Sequence, residues 1–261
     1  MDFINGNKFL ELADFAIDFN HNNLSTEIFK KDAIIFCKTD FLDMLFNYIK
    51  FSARSYTLIT HMSDYPINKV RYLKSPFCVK KWYAQNAILN RTNLISIPLG
   101  LENHKGSSKG SFTNHKWLED NIDDLKEIPK DGGVYCNWNT NTNQEIREPI
   151  LEELKQNDLQ LCIEHGLSFE EYCTSMAHHQ YVICPPGNGA DTHRLWEALY
   201  MGCIPITLEN RIYNNYHLPI IQVKKWSDVT KELLYSNLIS IFKNIDKKQL
   251  YMTYWINLIK N

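Results

Sequence analysis

YVICPPGNGADTHRLWEALYMGCIPITLE, residues Tyr181 to Glu209, is the stretch whose reading decides the fold: strand, glycine loop, helix, strand. Tyr181–Cys184 is a short apolar β-type run. Pro185 and Pro186 end it, because proline brings no N–H to a sheet ladder. Gly187, Asn188 and Gly189 permit a tight backbone turn. Asp191 or Thr192 then caps a helix expected to run to about Met201, where Gly202 supplies the stop. Ile204–Leu208 is the next buried strand. Such a unit aims the free N–H groups of a helix end at the loop, where an anion can sit. His193, Arg194 and Glu197 fall on one helix face by their spacing of three and four, while Leu195 and Leu199 turn toward a core. A cation and a carboxylate beside an anion-binding helix end suit a nucleoside diphosphate, with Arg194 on phosphate and Glu197 on the ribose hydroxyls. The alternative is a surface ion pair between Arg194 and Glu197, worth little energetically.

Working outward, strands and helices alternate twice. Before the unit come a helical pattern over Asn7–Asp18, a strand at Ala33–Cys37, and a helix at Phe41–Phe51 capped by Thr39 or Asp40. Strands follow at Tyr56–Thr60, Lys81–Ala87 and Leu94–Pro98, then a polar loop over Glu102–Thr113 and a helix at Trp117–Lys126. The run Ile128–Gly133 reads as a domain boundary. Beyond it lie a strand at Val134–Asn137, a helix at Ile146–Gln156 with Pro149 in its first turn, a strand at Leu159–Glu164, and a helix opened by the capping-box spacing of Ser168 and Glu171. One or two amphipathic helices close the chain over Leu233–Ile259. Alternation of this kind predicts α/β architecture with parallel sheets. The expected division is 1–130, 131–240, and a terminal helix at 241–261.

Composition excludes several function classes. The 261 residues are 44% hydrophobic, enough to bury a core, and the net charge of −2 implies no general affinity for nucleic acid. No apolar run reaches the ~18–20 residues of a membrane span. The opening MDFINGNKFLELADF lacks a basic stretch followed by an apolar core, so no signal peptide is expected, and a cytoplasmic setting is. Seven scattered cysteines without C-x-x-C spacing read as buried apolar residues in a reducing compartment. His165, His178 and His179 lack convergent metal-ligand spacing. No G-x-G-x-x-G follows an early strand, which speaks against a Rossmann oxidoreductase. Oligomeric state is not written in the sequence.

PPGNGADTHRLWEALYMGCIPI (Pro185–Ile206) resembles the nucleotide-sugar segment of exostosin-like glycosyltransferases of the GT-B type, a family with small virus-encoded members. The arginine–(two residues)–glutamate–alanine–leucine run stands here as Arg194-Leu-Trp-Glu197-Ala-Leu, followed by Gly202-Cys-Ile-Pro205. HMSDYP (His61–Pro66), WYAQN (Trp82–Asn86), IPLGLEN (Ile97–Asn103) and VYCNWNTNTN (Val134–Asn143) are similar to upstream pieces of small family members, so the likeness covers about residues 32–230. The resemblance implies two Rossmann-like domains facing a cleft, the first holding the acceptor and the second the nucleotide sugar, with the terminal helix crossing back to the first. It implies an inverting glycosyltransferase taking a nucleotide-diphosphate sugar, a UDP-sugar such as UDP-xylose, to a glycan acceptor, in the host cytoplasm for a virus-encoded member.

Glycosyl transfer requires stabilisation of the leaving diphosphate and removal of a proton from the acceptor hydroxyl. No aspartate–x–aspartate motif offers a metal, so no metal or other cofactor is expected. The charge then falls to Arg194 and to the N–H groups around Asp191–His193. Asn188, Gly189, Asp191, Thr192 and His193 are donor-side candidates, Asp191 serving equally well as the cap. Asp64, in the loop after a predicted strand, is the first candidate for the base and His61 the second; Asp64 is otherwise an Asx-turn residue before Pro66. Tyr65, Asn86, Glu102, Asn103 and Asn137 are candidates for the acceptor side or the cleft. A non-catalytic nucleotide- or glycan-binding module with the same fold is the alternative function. It would keep binding but show no turnover dependent on Asp64.

Overall fold

The computed structural model describes residues 2–20, 25–103, 111–131, 133–241 and 246–261, and of 111–115 and 237–241 the backbone alone. It is α/β, with two five-stranded parallel sheets in two Rossmann-like halves of GT-B type. The first sheet is built from β1 (Phe15–Ile17), β2 (Ala33–Lys38), β3 (Tyr56–His61), β4 (Val79–Ala84) and β5 (Leu94–Ser96), laid side by side in chain order. Its central strands read as near-continuous apolar runs because both faces are covered, as parallel sheets require. Ile35 and Phe36 of β2, paired with Leu58 and Ile59 of β3, are fully buried. Helix α1 (Gly6–Leu10) precedes β1, α2 (Leu42–Ile49) connects β2 to β3, and α3 (Lys69–Leu73) connects β3 to β4. In α2, Leu42, Leu45, Phe46 and Ile49 repeat at helical spacing, and that stripe is the buried one.

The second sheet follows α4 (Ser111–Glu127). It contains β6 (Val134–Cys136), β7 (Leu161–Ile163), β8 (Tyr181–Ile183), β9 (Ile204–Leu208) and β10 (Ile221–Val223), in the order β10-β9-β8-β6-β7. Its helices are α5 (Gln144–Arg147), α6 (Ile150–Lys155), α7 (Phe169–Ala177), α8 (His193–Tyr200) and α9 (Lys231–Ile241), and α10 (Met252–Lys260) ends the chain. Strand order reverses between β6 and β8. Open α/β sheets place their ligand crevice outside the carboxyl ends of the strands at such a reversal.

Several expectations are corrected. The helical pattern over Asn7–Asp18 resolves into α1 and then β1. Asn5 caps α1 through its side chain, but Phe15-Ala16-Ile17 pairs in parallel with Ile35–Cys37, so sheet pairing overrides a helical period that a short apolar run cannot fix. Thr39 and Asp40 do not cap α2; they lie in a 3-10 turn, Thr39–Phe41, and no side chain caps the helix. The single helix expected at Ile146–Gln156 breaks at Pro149, which has no N–H to donate and stands as N-cap of α6. Of the loop expected at Glu102–Thr113, residues 104–110 lie outside the described residues.

One apolar cluster runs between the sheets. It joins Phe3, Ile4, Phe9 and Tyr83 of the first half to Trp196, Tyr200 and Met201 of the second, together with Met252 and Trp255 of α10. Polar contacts pin the same seam. Tyr200 Oη accepts from Ile4 N at 3.1 Å and donates to Leu250 O at 2.9 Å, while Met252 N donates to Asp2 O at 3.0 Å and Tyr83 Oη to Leu258 O at 2.8 Å. Gly100, at φ +70°, lets the chain pass Ile4: a Cβ there would stand 2.2 Å from Ile4 O. Among the described residues, no helix is long and apolar enough to cross a membrane.

Candidate functional site

The carboxyl ends of both sheets open onto one cleft of about 1870 Å³. On the second half its wall is made by the loops that leave β6, β7 and β8, by the start of α7 and by the first turns of α8. On the first half it is made by the loop after β3, by Gln85 after β4, and by Leu99, Glu102 and Asn103 after β5.

Along the β8–α8 loop, Asn188 is exposed, Gly189 is buried, and both line the cleft. Thr192 is the N-cap of α8 by backbone position, with no side-chain capping bond. Among the described residues its Oγ1 is buried without a partner, as is Nε of Arg194 two residues on. The guanidinium of Arg194 lies over the ring of Tyr172, 5.6 Å from its centroid. Glu197 is 9% exposed, and its Oε2 accepts from Tyr172 Oη at 2.8 Å. Arg194 and Glu197 therefore do share a cleft-facing surface of α8, but both are braced by Tyr172 on α7, a residue the sequence reading passed over. Burial, and then the Glu197 carboxylate, push the Tyr172 phenol well above its ordinary range. It stays a hydrogen-bond donor at any working pH.

Asp191 is 5% exposed and ties the halves together. One carboxylate oxygen accepts from Leu99 N at 2.9 Å; the other accepts from Thr192 N at 2.9 Å, and Trp196 Nε1 lies 3.0 Å from both. Burial pushes its carboxyl up to about 6, against the pull of these N–H donors. Asn86, 1% exposed and at φ +55°, accepts from Asp191 N at 3.1 Å and donates to Ser63 O and Asp64 O. It lies behind the cleft wall as a strut from the β3 loop to the β8–α8 loop. His193 Nδ1 bonds to Gly100 O at 2.8 Å, a further link across the seam.

Asp64 is exposed at the cleft. A Cβ built on Gly189 would stand 3.2 Å from its Oδ1, so the carboxylate lies directly against the glycine loop of the other half. Met62, two residues earlier, holds φ +59°, a strained setting for a non-glycine residue that aims the loop into the cleft. His61 is placed differently. It is fully buried, its Nε2 meets Pro98 O at 3.0 Å, and its Nδ1 accepts from Met62 N at 2.8 Å. Both ring nitrogens are occupied, and burial lowers its pKa to about 4, so it has no lone pair to offer a substrate. Tyr65 is half-exposed on the same wall with Arg71 4.9 Å from its ring centroid. Glu102 lines the cleft, Asn103 accepts from Asn7 N at 2.9 Å, and Asn137 donates to Tyr135 Oη at 3.1 Å.

Arg147 was also passed over. It is 6% exposed, and its guanidinium reaches into the cleft wall. Nε donates to Pro186 O at 2.9 Å, Nη1 to Asn139 O at 2.7 Å and Nη2 to Pro185 O at 3.2 Å. Asn143 Nδ2 donates to Gly187 O at 2.8 Å.

Comparison with known proteins bears on this half. Residues 132–245 match the family model described as the Exostosin GT47 domain. A probable glycosyltransferase of Arabidopsis thaliana is 30% identical over 82 residues, which is 31% of this chain and 17% of the relative. The chain thus spans less than a fifth of the length of that curated relative.

Proposed function

From the premise that this is an exostosin-like chain of GT-B-type fold, we propose that it is a glycosyltransferase, inverting and metal-independent, that moves a sugar from a nucleotide-diphosphate sugar to a glycan acceptor. The donor is read as a UDP-sugar, UDP-xylose being one. Residues 131–240 hold the donor and 1–130 the acceptor. The observation that carries this reading is the buried, unpartnered Nε of Arg194 in the first turn of α8, across the cleft from Asp64. A buried donor without an acceptor is costly, and a phosphate oxygen would satisfy it.

In this reading each cleft residue has a role. Arg194, the orphaned hydroxyl of Thr192 and the free N–H groups of the α8 end meet the diphosphate. Glu197, fixed by Tyr172, accepts from the ribose hydroxyls. Asp64 lies against Gly189 and so stands where an acceptor hydroxyl meets the donor. As the acceptor oxygen bonds to the anomeric carbon, the carbon–oxygen bond to the diphosphate breaks, the diphosphate leaves with the electron pair, and Asp64 takes the hydroxyl proton. A single displacement of this kind inverts the anomeric centre.

The test is release of free nucleotide from UDP-, GDP- and CMP-sugars in EDTA, with a panel of glycan acceptors, for the wild type and for Asp64→Asn and Glu197→Ala. One donor should be consumed by the wild type. Asp64→Asn should lower kcat by about 10²–10⁴ with donor binding kept, and Glu197→Ala should weaken donor binding. Nucleotide binding without turnover, indifferent to Asp64→Asn, would make the protein a binding module instead.

A further inference from the structure

Arg147 sits where the strand order reverses, between the loop after β6 and the loop after β8, and its three bonds all run to backbone carbonyls of those two loops. Asn143, from the same segment, holds a fourth carbonyl, that of Gly187. Two features make this more than a structural tie. First, the peptide units concerned form or back the wall on which an anion would rest: Asn139 and Gly187 line it, and Pro185 and Pro186 lead directly into Gly187. Pro185 and Pro186 bring carbonyl oxygens to this segment but no N–H groups, so left alone it would present negative dipole ends toward an anion. Second, among the described residues no carboxylate lies within ion-pair distance of Arg147, although it is almost wholly buried; the charge that acts on it is that of Arg194. Burial and that second guanidinium lower its pKa to about 10. Two buried cations within electrostatic reach, one of them without a counter-ion, are costly until an anion joins them.

We propose that Arg147 is the positioning residue of the diphosphate subsite: its planar fork ties down the carbonyls of Asn139, Pro185 and Pro186 and holds an unneutralised positive charge behind the glycine loop. The inference rests on the donor-site reading above and extends it to a residue on a different element. Arg147 acts through the loop, and Arg194 is the cation that meets the phosphates. Fork and charge are separable, because lysine keeps the charge but cannot hold three carbonyls in one plane.

The test is calorimetric titration of the whole chain with UDP, uridine and inorganic pyrophosphate, for the wild type, Arg147→Gln and Arg147→Lys. Arg147→Gln should weaken UDP and pyrophosphate by about 30-fold or more, with uridine changed by less than about threefold. Arg147→Lys, which keeps the charge and loses the fork, should fall between Arg147→Gln and the wild type. Full rescue by lysine would mean that charge alone acts and would overturn the clamp. Equal losses for UDP and uridine, or no loss, would reduce Arg147 to a structural residue. Should circular dichroism show Arg147→Gln unfolded, Asn143→Ala, which frees only the Gly187 carbonyl, should lower UDP affinity by about fivefold and spare uridine; a uniform or absent effect there overturns the proposal. A wild type that binds neither UDP nor pyrophosphate would remove the donor-site reading and this inference together, whereas wild-type binding with Arg147→Gln undiminished removes this inference alone.

Discussion

Asp191 and His61 face the same seam from opposite halves and titrate in opposite senses. Asp191 has its folded pKa raised by burial to about 6, so its stabilising contribution is complete below the unfolded value and is lost as pH rises through 6. For His61, burial depresses the folded pKa to about 4; its contribution is present above the unfolded value near 6.5 and is lost as pH falls through 4. Each effect amounts to about 3 kcal/mol at full extent, and between pH 4 and 6.5 they oppose one another. The wild type should therefore show a shallow stability profile across that window. Asp191→Asn keeps an oxygen for Leu99 N and removes one of the two titrations, so its stability should rise with pH by roughly 3 kcal/mol from pH 4 to 6.5. Urea denaturation at pH 4, 5, 6 and 6.5 measures this, and parallel profiles for the two proteins would contradict it. At this scale Arg194, Glu197 and Asp191, donor-side candidates in the sequence, line the cleft. Asp191 was left open between donor contact and cap because its partner, Leu99 N, is 92 residues away and no local pattern reveals it. His61 stood beside Asp64 in a polar loop motif, and nothing local shows that its ring is turned into the core.

Helix α7 shows what an element contributes to a site it does not line end to end. Its start was legible, because Ser168 and Glu171 form a reciprocal capping box: Glu171 N donates to Ser168 Oγ at 3.3 Å and Ser168 N to Glu171 Oε2 at 2.9 Å. Its purpose was not legible, since Tyr172 reaches Glu197 only after α7 and α8 pack together. Ser168→Ala should lower stability by about 1 kcal/mol. Because the helix start positions Tyr172, it should also raise the donor KM with little change in kcat; steady-state kinetics beside a thermal melt separates the two effects. The elements misread fail for related reasons. Phe15-Ala16-Ile17 is too short for its period to tell helix from strand, and pairing with β2 decides. Pro149 was allowed inside a first turn, but the chain uses it to begin a second helix, which leaves Arg147 at the end of the first and free to reach between two loops.

On the scale of the molecule, two sheets share a single apolar seam that includes the N-terminal segment, α8 and α10. The halves are therefore held together by core packing as well as by hydrogen bonds across the cleft. Trp255, 2% exposed, packs edge-on against Tyr216 and donates from Nε1 to Gln249 O at 3.0 Å. Trp255→Ala should destabilise the fold by about 3–5 kcal/mol, and denaturation followed by fluorescence and circular dichroism should remain one coincident transition. Two separated transitions, only one of them shifted, would show that the halves unfold independently.

The sequence by itself determined the α/β class, the strands of both sheets apart from β1, the glycine loop and its helix, and the likeness of the second half to exostosin-like glycosyltransferases. It did so because each of these depends on residues within a dozen positions of one another: apolar runs, proline and glycine stops, and side chains three and four apart on a helix. Only the tertiary structure decided which polar groups would be left without a partner, which carboxylate would be buried across the seam, and which half-hidden arginine would bridge two loops. Those outcomes depend on contacts between residues tens of positions apart, where burial strips away water and leaves a charge or a hydroxyl to whatever the other half of the chain brings to it.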